Sequence, residues 1–180
     1  QGVSSAASDV YKRQASLTPV ITNGSVASVT ITDGGRDYGI PQIAFSAPTA
    51  QTFDGSSSSI VSTSNNNITL SATQRASWQV DDQLVYATTG TAIGGLTAGA
   101  TYYVKTISGH AISLYQNTST KAEINITGLG VGSTHTFTGI TATGTATSLN
   151  GILRTLTVEE PGFGYTGSSV SLSFSGVAID

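Results

Sequence analysis

The fold of this chain is decided by residues 29–38, which read VTITDGGRDY, because the same pattern returns at residues 156–165 as LTVEEPGFGY. The two copies align without a gap at an offset of 127 positions, and the alignment continues from residues 43–46 to residues 170–173. Each copy is an alternating apolar strand, a glycine-containing turn, a tyrosine and a second alternating strand. A repeated strand-turn-strand unit is an architectural element, so the sequence predicts modular β structure.

The composition agrees with a β protein that has a hydroxyl-rich surface. Ser and Thr make up 53 of the 180 residues, whereas charged residues are only 9%, against about a quarter in ordinary soluble domains. The β-branch of Thr favours strands, and Ser and Gly favour turns. Hydroxyl groups rather than charges therefore cover the solvated face, which is typical of extracellular and virion β proteins.

Charge and cysteine content argue against several classes of partner and site. The net charge is −3, and the seven cations are scattered, so no basic stripe is present to neutralise phosphates and we expect no nucleic-acid partner. The absence of Cys removes disulfides, thiol catalysis and Cys-based zinc sites. No apolar run approaches the roughly 18 residues that a membrane span needs, so we expect no membrane partner.

The amino-terminal residues 1–14 are set apart from the fold. Their sequence resembles a translated sequencing-adapter stretch of the kind found at the edges of assembled metagenomic fragments, and the alternative is a polar, flexible leader. The chain stops at Asp180 just after a predicted strand, so it is also interpreted as a possible internal fragment of a longer protein.

The rest of the chain reads as strands and turns. No segment shows a sustained helical period, and residues 118–124 predict one helical turn at most. The pair Asn150-Gly151 between alternating segments predicts a hairpin, because both residues accept a positive φ. The predicted class is all-β, with strands at residues 27–32, 41–46, 60–63, 67–71, 83–87, 101–107, 111–116, 134–138, 143–149 and 152–158.

These segments resemble repeats of bacteriophage proteins. Residues 31–46 and 158–175 resemble the GYTSAPTVTIS repeat of tail and other structural proteins of tailed bacteriophages. The first copy keeps Tyr38 and Pro41, while the second keeps Tyr165 but has Ser168 where that proline would fall. Residues 82–137 resemble a second phage-associated β module through the strings GGLTAGATYYV, ISL and GSTHTF.

The order of these pieces predicts a discontinuous lobe with an insertion. Residues 15–50 and 142–180 would form a small β lobe from two hairpin repeats, and residues 51–141 an inserted β-sandwich or barrel-like module. Isolated hairpins are marginal in water, so the two repeats would cover each other's apolar faces. The side chains predicted to meet there are Val29, Ile31, Ile43 and Phe45 on one side and Leu156, Val158, Val170 and Leu172 on the other.

Candidates for chemistry are few. His110 lies in a predicted hairpin loop and His135 in a strand, without the carboxylate pattern of a metal site. Asp33 and Asp37 could hold Ca²⁺, but Arg36 lies between them and Gly164 replaces the second acid in the other copy. No nucleophile-elbow motif or paired carboxylates are evident. We therefore expect no enzyme activity, no metal and no cofactor.

The aromatic residues are the remaining candidates for a binding site. Tyr38 and Tyr165 hold the same place in the two repeats, and each ring is expected to pack over its own turn or to serve as a platform for a sugar ring. Trp78 is expected to cap the core of the inserted module. Tyr102 and Tyr103 are neighbours, so one of the two rings must face outward and could touch a glycan or a subunit.

The resemblance implies a virion structural protein, as a component of a tail fibre, baseplate or other appendage that acts by assembly. Its partners would be other virion subunits in a homo-oligomer, for which tail fibres suggest a trimer, and a host surface glycan. The alternative is an extracellular or cell-surface adhesin domain that binds carbohydrate. A depolymerase is a third possibility, which requires clustered carboxylates that the sequence does not show.

Overall fold

The computed structural model describes residues 13–166 and the backbone of residues 172–175. In chain order the elements are β1 (Ser16–Thr22), β2 (Ser25–Asp33), β3 (Gln42–Phe45), β4 (Gln51–Phe53), β5 (Val61–Ser62), β6 (Asn67–Thr69), α1 (Ala72–Ala76), β7 (Gln83–Thr88), β8 (Thr101–Ser108), β9 (Ala111–Tyr115), β10 (His135–Thr138), β11 (Thr143–Leu149), β12 (Ile152–Glu160) and β13 (Leu172–Ser175). All described strand pairs are antiparallel, and the predicted all-β class is confirmed.

The two repeats have the same backbone in their hairpins and turns, residues 13–39 and 140–166. Hairpin β1–β2 and hairpin β11–β12 have strands of equal length that begin 127 positions apart. Their registers are equivalent, and both hairpins carry bulges at equivalent points. Each tip is an Asn-Gly pair at positive φ, Asn23-Gly24 in one and Asn150-Gly151 in the other. The structural repeat therefore begins at residue 13, earlier than the repeated sequence motif, which begins at residue 29.

The final strand of each repeat pairs differently from the prediction. The sequence suggests that residues 41–46 fold back on residues 27–32, but β2 pairs with β1, and β3 pairs with β13 of the second repeat. Phe45 and Leu172 occupy equivalent positions in the alignment and are also direct partners across this pair. The two repeats are therefore related by an approximate two-fold axis that passes between these two residues.

Reciprocal backbone hydrogen bonds follow the same two-fold relation. The amide of Val26 donates to the carbonyl of Pro161, and the equivalent Leu153 donates to Gly34, both at 2.9 Å. In such an isologous contact each surface patch meets its own equivalent. A second reciprocal pair links each turn to the opposite hairpin tip: Tyr38 N–H to the Gly151 carbonyl at 3.0 Å and Tyr165 N–H to the Gly24 carbonyl at 2.9 Å.

The apolar interior of the lobe contains most of the predicted side chains. Phe45 and Val26 are buried beside Ala142 and Tyr165. Half-buried side chains pack around them, and these include the predicted Val29, Ile43, Leu156 and Val158. Ile31 is half-buried but is not part of this cluster. Val170 and the side chain of Leu172 lie outside the described residues.

The strands between residues 51 and 138 form one sheet of seven, in the order β4-β10-β7-β8-β9-β6-β5. Because β4 and β5 are its two edges, the sheet is open. One of its faces is dry, and the fully buried side chains on that side include Trp78, Tyr86, Tyr102 and Phe137. Along β7 and β8, buried side chains alternate with more exposed ones, because successive side chains of a strand point to opposite faces of the sheet.

The one helix in the described residues lies where the sequence analysis did not expect it. Residues 118–124 contain no helix, whereas α1 follows Ser71, whose side chain caps the amide of Gln74 while the Gln74 side chain accepts from the Ser71 amide. This capping box supplies partners for amides that a helix start leaves unpaired. Within the same residues, no helix has the length and apolar character that crossing a membrane requires.

Candidate functional site

The four aromatic residues predicted as binding candidates are all buried. Trp78 and Tyr102 are 0% and 1% exposed, while Tyr38 and Tyr165 are 9% and 4% exposed. A buried ring has no face for a sugar that arrives from solvent, so the platform interpretation does not fit these positions. Tyr102 also receives a hydrogen bond on its hydroxyl from the amide of Thr97 at 2.8 Å. We assign all four to packing.

Tyr38 and Tyr165 each fix the start of their own repeat. The hydroxyl of Tyr38 accepts from the amide of Ala15 at 2.7 Å, and that of Tyr165 accepts from Ala142 at 2.9 Å. Tyr165 also donates to the carbonyl of Ser46 at 3.0 Å. The interpretation that each ring packs over its turn while its hydroxyl reaches a partner therefore describes both residues.

The lobe and the inserted sheet meet at a buried glutamine. The side-chain oxygen of Gln51 accepts from Nε1 of Trp78 at 2.9 Å, and its nitrogen donates to Oγ of Ser77 at 2.6 Å and to the carbonyl of Gly164 at 3.3 Å. Gln51 is 4% exposed. Both ends of its amide are thus satisfied inside the protein, as a buried polar group requires. We call Gln51, Ser77, Trp78 and Gly164 the junction.

The junction explains why the two repeats differ in sequence. Phe163 packs against the core of the inserted sheet, and Gly164 lies so close to Trp78 that an added Cβ would be 2.7 Å from its ring. The equivalent residues of the first repeat, Arg36 and Asp37, face no inserted module and are exposed and half-buried. The approximate two-fold symmetry is therefore broken where the insertion packs.

A cleft of about 540 Å³ opens beside the junction. It lies between hairpin β1–β2 and α1, and Tyr165 forms part of its wall. The other lining residues are Pro19, Ile21, Gly24, Thr73, Ala76, Ser77 and Thr166. This lining has no ionisable side chain except the Tyr165 phenol, whose pKa is raised by burial, so the cleft offers apolar surface and hydroxyl groups.

The other side of the inserted sheet carries a polar and aromatic surface around Tyr103, and we call it the tyrosine patch. Tyr103 lies on β8 between Gln83 of β7 and Tyr115 of β9. Its ring stacks with that of Tyr115, with centroids 5.2 Å apart and an interplanar angle of 20°. Around the two rings lie four charged residues: Asp81, Lys105, Lys121 and Glu123.

Asp81 is the centre of the hydrogen bonds in the tyrosine patch. Both of its carboxylate oxygens lie 2.7 Å from Nζ of Lys121, and the hydroxyl of Tyr115 donates to one of them at 2.8 Å. These contacts, with Lys121 foremost, lower the pKa of Asp81. Nζ of Lys121 also lies 5.5 Å from the centroid of the Tyr115 ring. Nearby, Lys105 and Glu123 are 3.6 Å apart.

Asp82, the next residue, is buried, and its pKa is raised where that of Asp81 is lowered. Its carboxylate accepts from the amide of Gln79 at 2.7 Å. Its pKa is raised to about 6, mainly by burial and to a smaller extent by the nearby charge of Asp81, and the Gln79 hydrogen bond only partly offsets these effects. The two adjacent aspartates thus titrate in separate pH ranges.

The predicted histidine and calcium candidates occupy structural positions. His110 is exposed in its turn, and His135 is fully buried with Nδ1 2.7 Å from the hydroxyl of Tyr86. Asp33 is paired with Arg13 and accepts from the amide of Gly35 at 2.9 Å. In the part of the chain that the structure describes, no three His, Cys, Asp or Glu side chains gather as metal ligands would.

Comparison with protein-family models, with curated proteins and with solved structures found no match to this chain. The resemblance to phage repeats therefore rests on the quoted sequence strings. Sequence reasoning missed Gln51, which lies between two predicted strands, at residues 41–46 and 60–63, with no distinguishing pattern. It also named Tyr102 as a candidate and gave Tyr103 no separate role, although the strict alternation of a strand shows that the two rings lie on opposite faces.

Proposed function

We propose that this chain is a structural component of a tailed-phage particle, in a tail fibre, baseplate or other appendage, and that it acts by assembly with other virion subunits. The sequence support is the pair of phage-like repeats and the phage-like middle module. The structural support comes from the two equivalent ends of the lobe. The inserted module covers one end, whereas large apolar side chains are exposed at the other.

At one end of the lobe, the tip of β1–β2 is covered by the inserted module. An added Cβ on Gly24 would collide with the backbone of Ser77. At the other end, the tip of β11–β12 lies against residues 38–40 of the first repeat, where Oγ of Ser148 donates to the carbonyl of Gly39 at 2.7 Å. The neighbours of these two residues, Leu149 and Ile40, are 60% and 75% exposed.

We call this second region, with Ile40, Leu149 and the tip at Gly151, the open end. Contiguous exposed apolar surface marks interaction sites, and Ile40 and Leu149 flank the hydrogen bond between Ser148 and Gly39. Each of the two contributes about 1.5–3 kcal/mol when a neighbour buries it fully. The open end therefore suits a contact between subunits, and this supports a role in assembly.

Light scattering coupled to size exclusion tests the proposal on the full chain. We expect oligomers that grow with protein concentration, and we expect the double substitution Ile40→Lys and Leu149→Lys to shift the population toward monomer. Val20→Lys is the matched control, because Val20 is 43% exposed on the outer side of β1, away from the open end. A chain that is monomeric at every concentration would contradict the proposal.

A further inference from the structure

Tyr103 is distinguished among the aromatic residues by its access to solvent. Among the aromatic side chains that the structure describes, only Tyr103 and Phe163 are not buried. Phe163 packs against the core of the inserted sheet. Tyr103 instead lies half-buried on the opposite face of that sheet, near the middle of its seven strands.

The surroundings of Tyr103 combine ring surface with hydrogen-bonding groups. Gln83, directly opposite on β7, places an amide beside the ring, and the buried ring of Tyr115 on the other side supports the Tyr103 ring by stacking against it. Lys105 follows two residues later on β8, and its ammonium lies 3.6 Å from the Glu123 carboxylate. Donors and acceptors thus border the aromatic surface.

The charges of the tyrosine patch cancel. Lys121 is paired with Asp81 at 2.7 Å, and Lys105 is paired with Glu123. An anionic ligand would have to displace a carboxylate from each lysine, and a cationic ligand would have to displace a lysine from each carboxylate. A neutral ligand with many hydroxyl groups can bridge both members of an ion pair without separating them, because a hydroxyl both donates and accepts.

Part of the tyrosine patch is ordered before any ligand arrives. Asp81 and Lys121 both have positive φ, 74° and 47°, which is uncommon for residues other than glycine. The bidentate ion pair between them and the hydrogen bond from Tyr115 hold this arrangement. Groups that are already fixed lose little further freedom on binding, and this favours affinity.

From this geometry we propose that the tyrosine patch binds a neutral saccharide, with the exposed part of the Tyr103 ring against the apolar face of one sugar and with Gln83, Lys105 and Glu123 bonding its hydroxyls. A pyranose has that combination of a C–H face and a hydroxyl rim. The site differs from the four buried aromatics suggested by sequence. It is also independent of assembly at the open end, because it lies on the inserted sheet.

A printed array of neutral and acidic oligosaccharides is the first test, with the full chain detected through a carboxyl-terminal tag. The best hit is then titrated calorimetrically against wild type and variants. We expect binding to neutral glycans, with affinity at least tenfold weaker in Tyr103→Ala and within about threefold of wild type in Tyr103→Phe, which keeps the ring. Thr136→Ala, two strands away on β10, is the matched control and should bind as wild type.

Three results would overturn the proposal: no array signal from the wild type, unchanged binding in Tyr103→Ala, or binding confined to acidic glycans. Should Tyr103→Ala fail to fold by circular dichroism, Lys105→Met takes its place, with an expected loss of at least threefold. A chain that is monomeric by light scattering but binds glycans would contradict only the assembly proposal, and the reverse pattern would contradict only this one.

Discussion

Tyr38 and Tyr165 lie 127 positions apart in the chain, yet each accepts a hydrogen bond on its hydroxyl from the amide of the alanine 23 residues before it, at 2.7 Å and 2.9 Å. Each also donates its own backbone amide to the tip of the other repeat's hairpin. Each tyrosine therefore joins the beginning and the turn of its own repeat and connects that repeat to its sister.

The hydroxyl of each tyrosine is expected to contribute to stability. Tyr38→Phe and Tyr165→Phe each leave an amide of the chain without its acceptor, so each should lower the free energy of unfolding by about 1–2 kcal/mol. Urea denaturation followed by circular dichroism measures this. Tyr103→Phe is the control and should change stability by less than about 0.5 kcal/mol. Neutral effects at both repeat tyrosines would show that these hydrogen bonds do not hold the lobe together.

The close approach of Gly164 to Trp78 predicts a difference between two glycines of similar backbone conformation. Gly164 and Gly99 have positive φ, 80° and 81°, so alanine at either position carries a similar backbone cost of about 1 kcal/mol, and an added Cβ on Gly99 would meet no atom within 4 Å. Only at Gly164 does the added Cβ also meet the Trp78 ring, at 2.7 Å, which costs about 1–3 kcal/mol more. We expect Gly164→Ala to be the more destabilising of the two in thermal melts. Equal effects would mean that the junction relaxes without cost.

Gln51 is expected to hold the inserted sheet against the lobe. Gln51→Ala removes hydrogen bonds to Trp78, Ser77 and Gly164 and leaves the indole N–H without its acceptor, so we expect a loss of about 3 kcal/mol. Trp78 fluorescence should shift to longer wavelength as water reaches the ring. Gln42→Ala, at an exposed position on β3, is the matched control and should leave both measurements unchanged.

Asp82 predicts a loss of stability as the pH rises. Its pKa of about 6 in the folded protein exceeds the ordinary value of 3.8, so the folded state binds the proton more tightly than the unfolded state. Stability should be highest below about pH 4 with respect to this group, and it should fall by up to about 3 kcal/mol as the pH passes 6.

Asp82→Asn should remove this pH dependence, because an amide stays neutral and its oxygen can still accept from Gln79. The measurement is the difference in unfolding free energy between wild type and variant at pH 4.5 and at pH 7.5. We expect the unfolding free energy of the variant, relative to that of the wild type, to be higher at pH 7.5 than at pH 4.5. A difference that does not change between the two pH values would contradict burial as the cause.

Local patterns predicted most of the strands but missed β1 and β4, and they predicted the partners of the strands less well. The Asn150-Gly151 hairpin is fixed by two residues that accept positive φ, so the sequence shows it directly. The pairing of β3 with β13 depends on contacts between residues more than 120 positions apart, and no local pattern reveals it. The alternation around Asp33-Gly34-Gly35 suggested a hairpin, but the turn sends the chain to its sister repeat instead.

The candidate site shows the same limit. A strand places neighbouring rings on opposite faces, so the pair Tyr102 and Tyr103 had to contain one outward ring. Which ring faces out depends on which face of the sheet is covered, and that is a property of the whole module. The role of Gln51 could not be predicted for a related reason. It depends on hydrogen bonds to Trp78 and Gly164, which are distant from Gln51 in the chain but adjacent to it in space.

The two-fold lobe also constrains how the protein can be made. The first repeat leaves the ribosome 127 residues before the equivalent part of its partner. At translation rates of about 5–20 residues per second, its apolar face stays uncovered for roughly 6–25 s before the sister repeat of the same chain emerges. During that interval the inserted sheet can fold, but the first repeat cannot complete its interior. Nascent chains on one polysome would then expose the same unpaired repeat close together, so the first repeats of two neighbouring chains could pair with each other during synthesis.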